Sequence, residues 1–242
     1  MLVLITRQKE KAQEFAKILN DENIMSISFP VIDIETLTPT DTNLNDLNKS
    51  TFLIFTSQNS VIAFMDLFSK ADLIGKKVAS IGAATKKALE NFQIKVDISP
   101  KEDFTSEKLL EEITKFELKD ELIVIIKGKE GRSFLRDELS KKYNVLNDIN
   151  IYERKIPKNI YPTDVSSLNK VSHICITSVD VLKNFSDIYA SLGLKVREEV
   201  FFIAGNKRIE EEIKKNFSNN RTIIAENPSN EAILDIILQH SD

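Results

Sequence analysis

Cysteine, histidine and glycine are all scarce in this chain of 242 residues, and each scarcity removes a class of function. Cys175 is the only cysteine, so no disulfide can close within the sequence, and its place in an apolar stretch reads as packing. With His173 and His240 as the only histidines, a typical zinc site cannot be assembled, and no metal is expected. The six glycines form neither a GxGxxG nor a GxxxxGK(S/T) fingerprint, which argues against a dinucleotide or ATP site. GKEGR at 128–132 approaches a phosphate loop only loosely, because its two glycines stand too close together. There is no GxSxG nucleophile elbow either. No apolar run approaches the roughly 20 residues that a membrane helix needs. The run after Met1 is only four residues long before the polar Thr6 and Arg7, too short for a signal peptide, so the cytoplasm is the expected compartment.

What remains is the composition of an ordinary folded protein, 42% hydrophobic and 29% charged, enough for one large domain or two average ones. The net charge of −4 and the scattered lysines and arginines speak against a nucleic-acid partner. Apolar runs predict strands over 2–6, 52–56, 77–81, 94–98, 122–127, 172–177, 199–204 and 221–225, with extended chain over 24–34 and 145–152. Pro30 argues against an unbroken central strand in the first of those extended stretches. Helical spacing predicts helices over 7–20, 58–68, 83–92, 106–116, 131–142, 179–189, 207–217 and 229–238. Two polar links, 35–50 and 153–170, the second carrying Pro157 and Pro162, complete the chain.

The order repeats. LITRQKEKAQEFAKIL (4–19) lies over VIIKGKEGRSFLRDEL (124–139), Gly82 over Gly205 and Ser106 over Ser229. Each half alternates strand and helix with five strands, which fits a flavodoxin-like doubly wound parallel sheet. Two such α/β domains are expected to face each other across a cleft, since ligands of open α/β sheets bind beyond the carboxyl ends of the strands. Those ends carry Arg7, Thr56 and Ser57, Gly82 and Thr85, Ser106, Lys127, Thr177 and Ser178, Gly205 and Lys207, and Ser229. Each end also presents a helix N-terminus with open N–H groups and partial positive charge, which favours a small molecule rich in carboxylates or phosphates. Taken singly, each hydroxyl reads as a helix cap. Taken together, they read as a binding site whose ligand is a polyanion. The carboxylates Glu111, Glu112 and Glu210 to Glu212 lie on solvated helix faces.

The series ITR, FTSQNSV, VASIGAATKKALE, P-x(3)-FTSEKLL, KGKEGRSFLRDELSKKYNV leading into IYER, ITSVDV and IAGNKRIEEEI, in that order, resembles the uroporphyrinogen-III synthase family over essentially the whole chain. The resemblance implies an enzyme without metal or organic cofactor; two domains clamping one ligand need no partner, so a monomer is expected. Such an enzyme closes the linear tetrapyrrole hydroxymethylbilane with loss of water and inversion of ring D through a spiro intermediate. It also implies that the chain crosses twice between its domains through a two-stranded connector near 30–35 and 151–157. One domain is then 1–33 plus 156–242 and the other 36–150, where the repeat alone suggests a cut near 119. Tyr152 in IYER stands where the family has its favoured proton donor, and a phenol, protonated at neutral pH, can donate to a departing hydroxyl. A half-buried connector residue is the other reading of Tyr152. Thr85 matches a cleft threonine of the family. Departures are Gln8, where proline commonly follows Thr-Arg, and Asn206, Lys207 and Arg208, where relatives often have threonines. Fold and cleft alone would also suit a non-catalytic binder of a polycarboxylate tetrapyrrole.

Overall fold

The computed structural model describes residues 1–116, 118–157 and 165–240. These separate into two compact units, Met1–Asp33 with Lys155–Asp242, and Ile34–Arg154. In chain order the elements are β1 (Leu2–Ile5), α1 (Lys9–Asp21), β2 (Met25–Ser28), β3 (Asp33–Thr36), α2 (Asp41–Lys49), β4 (Phe52–Phe55), α3 (Gln58–Leu67), β5 (Lys77–Ser80), α4 (Ala83–Asn91) and α5 (Ser106–Lys115). They continue with β6 (Leu122–Gly128), α6 (Phe134–Leu139), β7 (Asn144–Val145), β8 (Ile149–Lys155), β9 (His173–Ile176), α7 (Val179–Ser191), β10 (Phe201–Ala204), α8 (Lys207–Asn216), β11 (Thr222–Ile224) and α9 (Asn230–Gln239).

In the first unit the sheet runs β11-β10-β9-β1-β2, all pairs parallel. Counted along the chain this is the order 2-1-3-4-5 of flavodoxin-like sheets. The central strand β1 shows why the stretch is apolar throughout: Leu4 shares one face of the sheet with Phe202 and a cluster with Phe185 of α7, while Val3 and Ile5 cluster with Phe15 and Ile233 on the other. Helices thus cover both faces. Cys175 sits fully buried in the middle of β9, and burial pushes its thiol up to about 12. At pH 8 the thiolate is then a fraction on the order of 1 in 10,000. We expect no reaction with a disulfide reagent in the folded protein and one equivalent after unfolding in guanidinium. Rapid native labelling, followed by absorbance, would contradict this.

In the second unit the order is β3-β8-β6-β4-β5, with β7 also on β6. Its β4, Phe52–Phe55, is buried at every residue. Leu53 and Phe55 pack with Val61 and Phe64 on one side, and Phe52 and Ile54 with Leu109 and Ile113 on the other. Here the strand pair that answers to β1 and β2 is β6 and β8, which comes last in the unit rather than first. Pro30 lies between β2 and β3, which belong to different sheets. The 35–50 link holds a helix, α2, started by a Thr40–Asn43 capping box.

Three expectations need correction. The strand over 94–98 shrinks to one bridge between Ala79 and Ile98. Its alternation is right, but the Asp97 carboxylate takes the Val78 N–H at 3.0 Å, a donor that a continuing ladder would have given to a carbonyl. The helix over 131–142 is reduced to α6. The Gly131 N–H closes a turn on the Gly128 carbonyl at 2.9 Å, and the Lys127 ammonium takes the Arg132 carbonyl at 3.1 Å, so the chain becomes helical only at Phe134. The repeat is also out of register by one residue at two points: the cap equivalent to Ser229 is Thr105, not Ser106, and Gly82, which caps α4, answers to Asn206 rather than Gly205. Part of the 153–170 link, Pro162 included, lies outside the described residues.

Candidate functional site

A cavity of about 190 Å³ opens at the carboxyl edge of the second unit's sheet, lined among others by Thr56, Ser57, Ser106, Lys127, Arg132 and Tyr152. Four of the expected strand-end residues and the expected proton donor therefore meet in one place. The construction starts from β4. Its apolar run ends at Thr56, whose hydroxyl donates to the Ile126 carbonyl at 3.3 Å. Ser57 follows in extended conformation and starts α3. Its Oγ accepts the Ser60 N–H at 3.0 Å, its own N–H donates to Ser60 Oγ at 3.2 Å, and Ser60 Oγ donates to the Ser57 carbonyl at 2.6 Å. That leaves the Ser57 Oγ held in a fixed place at the positive end of α3.

Tyr152 approaches this point from β8. Its hydroxyl lies 3.1 Å from Ser57 Oγ, and its ring rests on Gly128 at the end of β6. A Cβ built on Gly128 would come within 2.6 Å of Tyr152 Cζ and 2.8 Å of its oxygen, so any other residue would push the phenol away. Tyr152 is 4% exposed, which agrees with the connector reading as far as burial goes, but its oxygen is aimed at the cavity wall that Ser57 forms.

The floor is charged. Lys127, 7% exposed, places Nζ 3.6 Å from Asp148 Oδ2, and Arg136 Nη1 lies 2.9 Å from Asp148 Oδ1. The Lys127 ammonium is thus committed to Asp148 and the Arg132 carbonyl, and its part is to hold the 128–132 loop. Arg132, tied to Glu107 at 3.4 Å, Arg154 and the carboxylate Glu130 also stand on the cavity wall. The sequence set GKEGR aside as a poor phosphate loop, and the structure gives its glycines another use. They serve side chains, Gly128 that of Tyr152 and Gly131 that of Lys127, whose Cε would lie 2.9 Å from a Cβ on Gly131.

Other expected residues sit apart from the cavity lining. Gly82 starts α4 without a side-chain cap, and Thr85 is buried in the first turn of α4 at 3% exposure. In the first unit, Arg7 hydrogen-bonds Asn230 Oδ1 and the Pro228 carbonyl, tying the end of β1 to the start of α9. Burial lowers its basicity, against the raising effect of Cys175, Glu14 and Glu231. Ser178, Asn206 and Ser229 cap α7, α8 and α9, their oxygens accepting from Val181, Ile209 and Ala232 at 3.1, 3.1 and 3.2 Å. Asn206 therefore does the work of a hydroxyl cap after Gly205, and Lys207 follows it, exposed, as the first residue of α8. Thr177 precedes Ser178 at the end of β9.

Replacing Ser57 with alanine is expected to cost about 1 kcal/mol through the lost cap. Ser57→Thr should restore most of it. Urea unfolding of both variants checks this, and equal stability of Ser57→Ala and the parent would contradict it.

Comparison with known proteins gives concordant results. The model of the family described as "Uroporphyrinogen-III synthase HemD" matches residues 13–235. A protein of Methanocaldococcus jannaschii called a putative uroporphyrinogen-III synthase is 30% identical over 175 residues, 71% of this chain and 69% of that one. The uroporphyrinogen-III synthase of Chlorobaculum parvum is 25% identical over 202 residues, 79% of this chain and 80% of that one. Among solved structures, uroporphyrinogen-III synthetase from Helicobacter pylori superposes with a TM-score of 0.68 at 18% identity, over 98% of both chains. A mutant uroporphyrinogen III synthase from Thermus thermophilus gives 0.58 at 14% identity, over 99% of this chain and 98% of that one. At these identities the two structures speak for the fold. The family model, which spans nearly the whole chain, speaks for descent, and this chain belongs to the uroporphyrinogen-III synthase family.

Proposed function

We propose that the chain converts hydroxymethylbilane to uroporphyrinogen III, a cyclising loss of water, and that the second unit holds the reacting end of the substrate. The observation that carries the reading is the Ser57–Tyr152 hydroxyl pair, 3.1 Å apart at the wall of a cavity that Arg132 and Arg154 also line. Tyr152 gives its proton to the departing hydroxyl, the C–O bond breaks, and water leaves an azafulvene-type cation. The Ser57 O–H, its oxygen already holding the Ser60 N–H, donates to the phenolate that Tyr152 becomes, and the N-terminus of α3 adds its partial positive charge.

Ring D then attacks through its substituted carbon, and the spiro compound that results rearranges to the inverted macrocycle. The proton that ring D finally loses restores the phenol, so the net change is one water lost. Left alone, the bilane closes without inversion. The main contribution of the protein is thus the conformation in which it holds the chain, with modest acid help for the leaving group. Arg132 and Arg154 are suited to the substrate's acetate and propionate groups. The reading includes a monomeric enzyme of the cytoplasm, and sedimentation equilibrium tests the first of these. The decisive experiment supplies freshly made hydroxymethylbilane and resolves the oxidised products by chromatography. Type III isomer is expected; type I alone would end the proposal.

A further inference from the structure

Gly82 makes a second ring seat, one that proton transfer does not use. A Cβ built on Gly82 would lie 2.8 Å from Phe104 Cβ, 3.1 Å from its Cγ and 3.3 Å from its Cδ1. The missing side chain lets the phenyl ring settle against the backbone where β5 ends. Ile81, just before the seat, and Ser106, just after the ring, both line the cavity. Yet Phe104 is 51% exposed. An aromatic ring usually gains its place by leaving water, and this one is held firmly at its root with its face in solvent.

The other unit supplies an internal control. Gly205 stands one position earlier than Gly82 in the matching strand-to-helix turn, since Asn206 caps α8 where Gly82 caps α4, and a Cβ on Gly205 would lie 2.8 Å from Pro228 Cβ. Pro228 directly precedes the Ser229 cap of α9, just as Phe104 directly precedes the Thr105 cap of α5. A proline is enough before the corresponding helix start. Packing alone therefore does not call for an aromatic ring in the second unit.

We propose that Phe104 is a substrate-binding residue whose exposed face stacks on a pyrrole ring of the tetrapyrrole. The proposal rests on the function argued above and names one contact within it. A phenyl face carries negative partial charge, so it holds the cation left after water loss more strongly than the neutral bilane. Its removal should therefore lower turnover and loosen the conformation needed for inversion.

The test separates the ring face from its bulk. Phe104→Leu, which still covers Gly82 with an apolar group, should lower kcat/KM about tenfold and raise the share of type I product. Phe104→Tyr and Phe104→Trp should stay within about twofold of the parent. The chain has no tryptophan, so Phe104→Trp also provides a single fluorophore. Uroporphyrinogen III, added without oxygen, should shield it from acrylamide quenching. The same probe placed by Phe92→Trp, at the far end of α4, should stay as accessible as before. Parent kcat/KM and isomer ratio in Phe104→Leu, or no shielding in Phe104→Trp, would overturn the inference and leave the function standing. A parent enzyme that makes only type I isomer would instead overturn the functional reading beneath it.

Discussion

Asp148→Ala is expected to destabilise the second unit by about 3–5 kcal/mol. Asp148 is the only anion that Lys127 and Arg136 are seen to share, at 3.6 and 2.9 Å, among the described ion pairs. The Lys127 side chain is 8% exposed and that of Asp148 15% exposed, so water can do little to replace the lost partner. Removing Asp148 leaves two cations close together, one of them buried, and that is the costly way to break a buried pair. Lys127→Met should cost clearly less. It removes the charge that is hardest to keep out of water, fills similar volume, and leaves Asp148 to Arg136. The comparison of the two variants by urea unfolding is sharper than either alone. A loss below about 1 kcal/mol for Asp148→Ala, within the range of an exposed pair, would show that the network is solvated and contributes little.

Tyr152→Phe should lower turnover about 10–100-fold, at or below the low end of what a positioned general acid contributes. The effect is held to this size because the electron-rich pyrrole itself expels the hydroxyl. Phenylalanine keeps the ring on Gly128, so folding and KM should change little and the loss should appear in kcat. Since unassisted closure gives the type I isomer, the variant should also form more of it as its own reaction slows. Single-turnover rates with product chromatography measure both. Parent kcat in this variant would make Tyr152 a buried connector residue whose hydroxyl serves only to bond Ser57.

Much of this arrangement was legible in the chain, because the signals involved are local. Ser57, Ser178 and Ser229 announce helix starts through residues three positions on, and Pro30 stops a strand through its own missing N–H. The apolar runs of β1, β4 and β9 show strands covered on both faces. What escaped was set by distant partners. Ser57 and Tyr152 are 95 residues apart, and nothing near either names the other. Gly128 and Gly82 look like turn glycines until the rings of Tyr152 and Phe104 are seen against them. IKVDI alternates as a strand should, but its outcome was decided by the Asp97 carboxylate at Val78. Lys127 reads as a cleft cation and proves to be a buried tie, because Asp148 lies one strand away.

The place of β1 in its sheet has a consequence for synthesis. β1 pairs with β2 on one side and with β9 on the other, so its second neighbour is translated only after the whole of Ile34–Arg154. At ~5–20 residues per second, the stretch from Asp33 to His173 takes roughly 7–28 s to make. During that time the contiguous unit can close its own core. The apolar LVLI of β1, meanwhile, waits with one edge open, the state in which strands find wrong partners. The growing chain thus has a built-in order of assembly, with the inserted unit first and the unit that carries both ends second. The interval between them is when a nascent chain of this design most needs its first 33 residues kept apart from others.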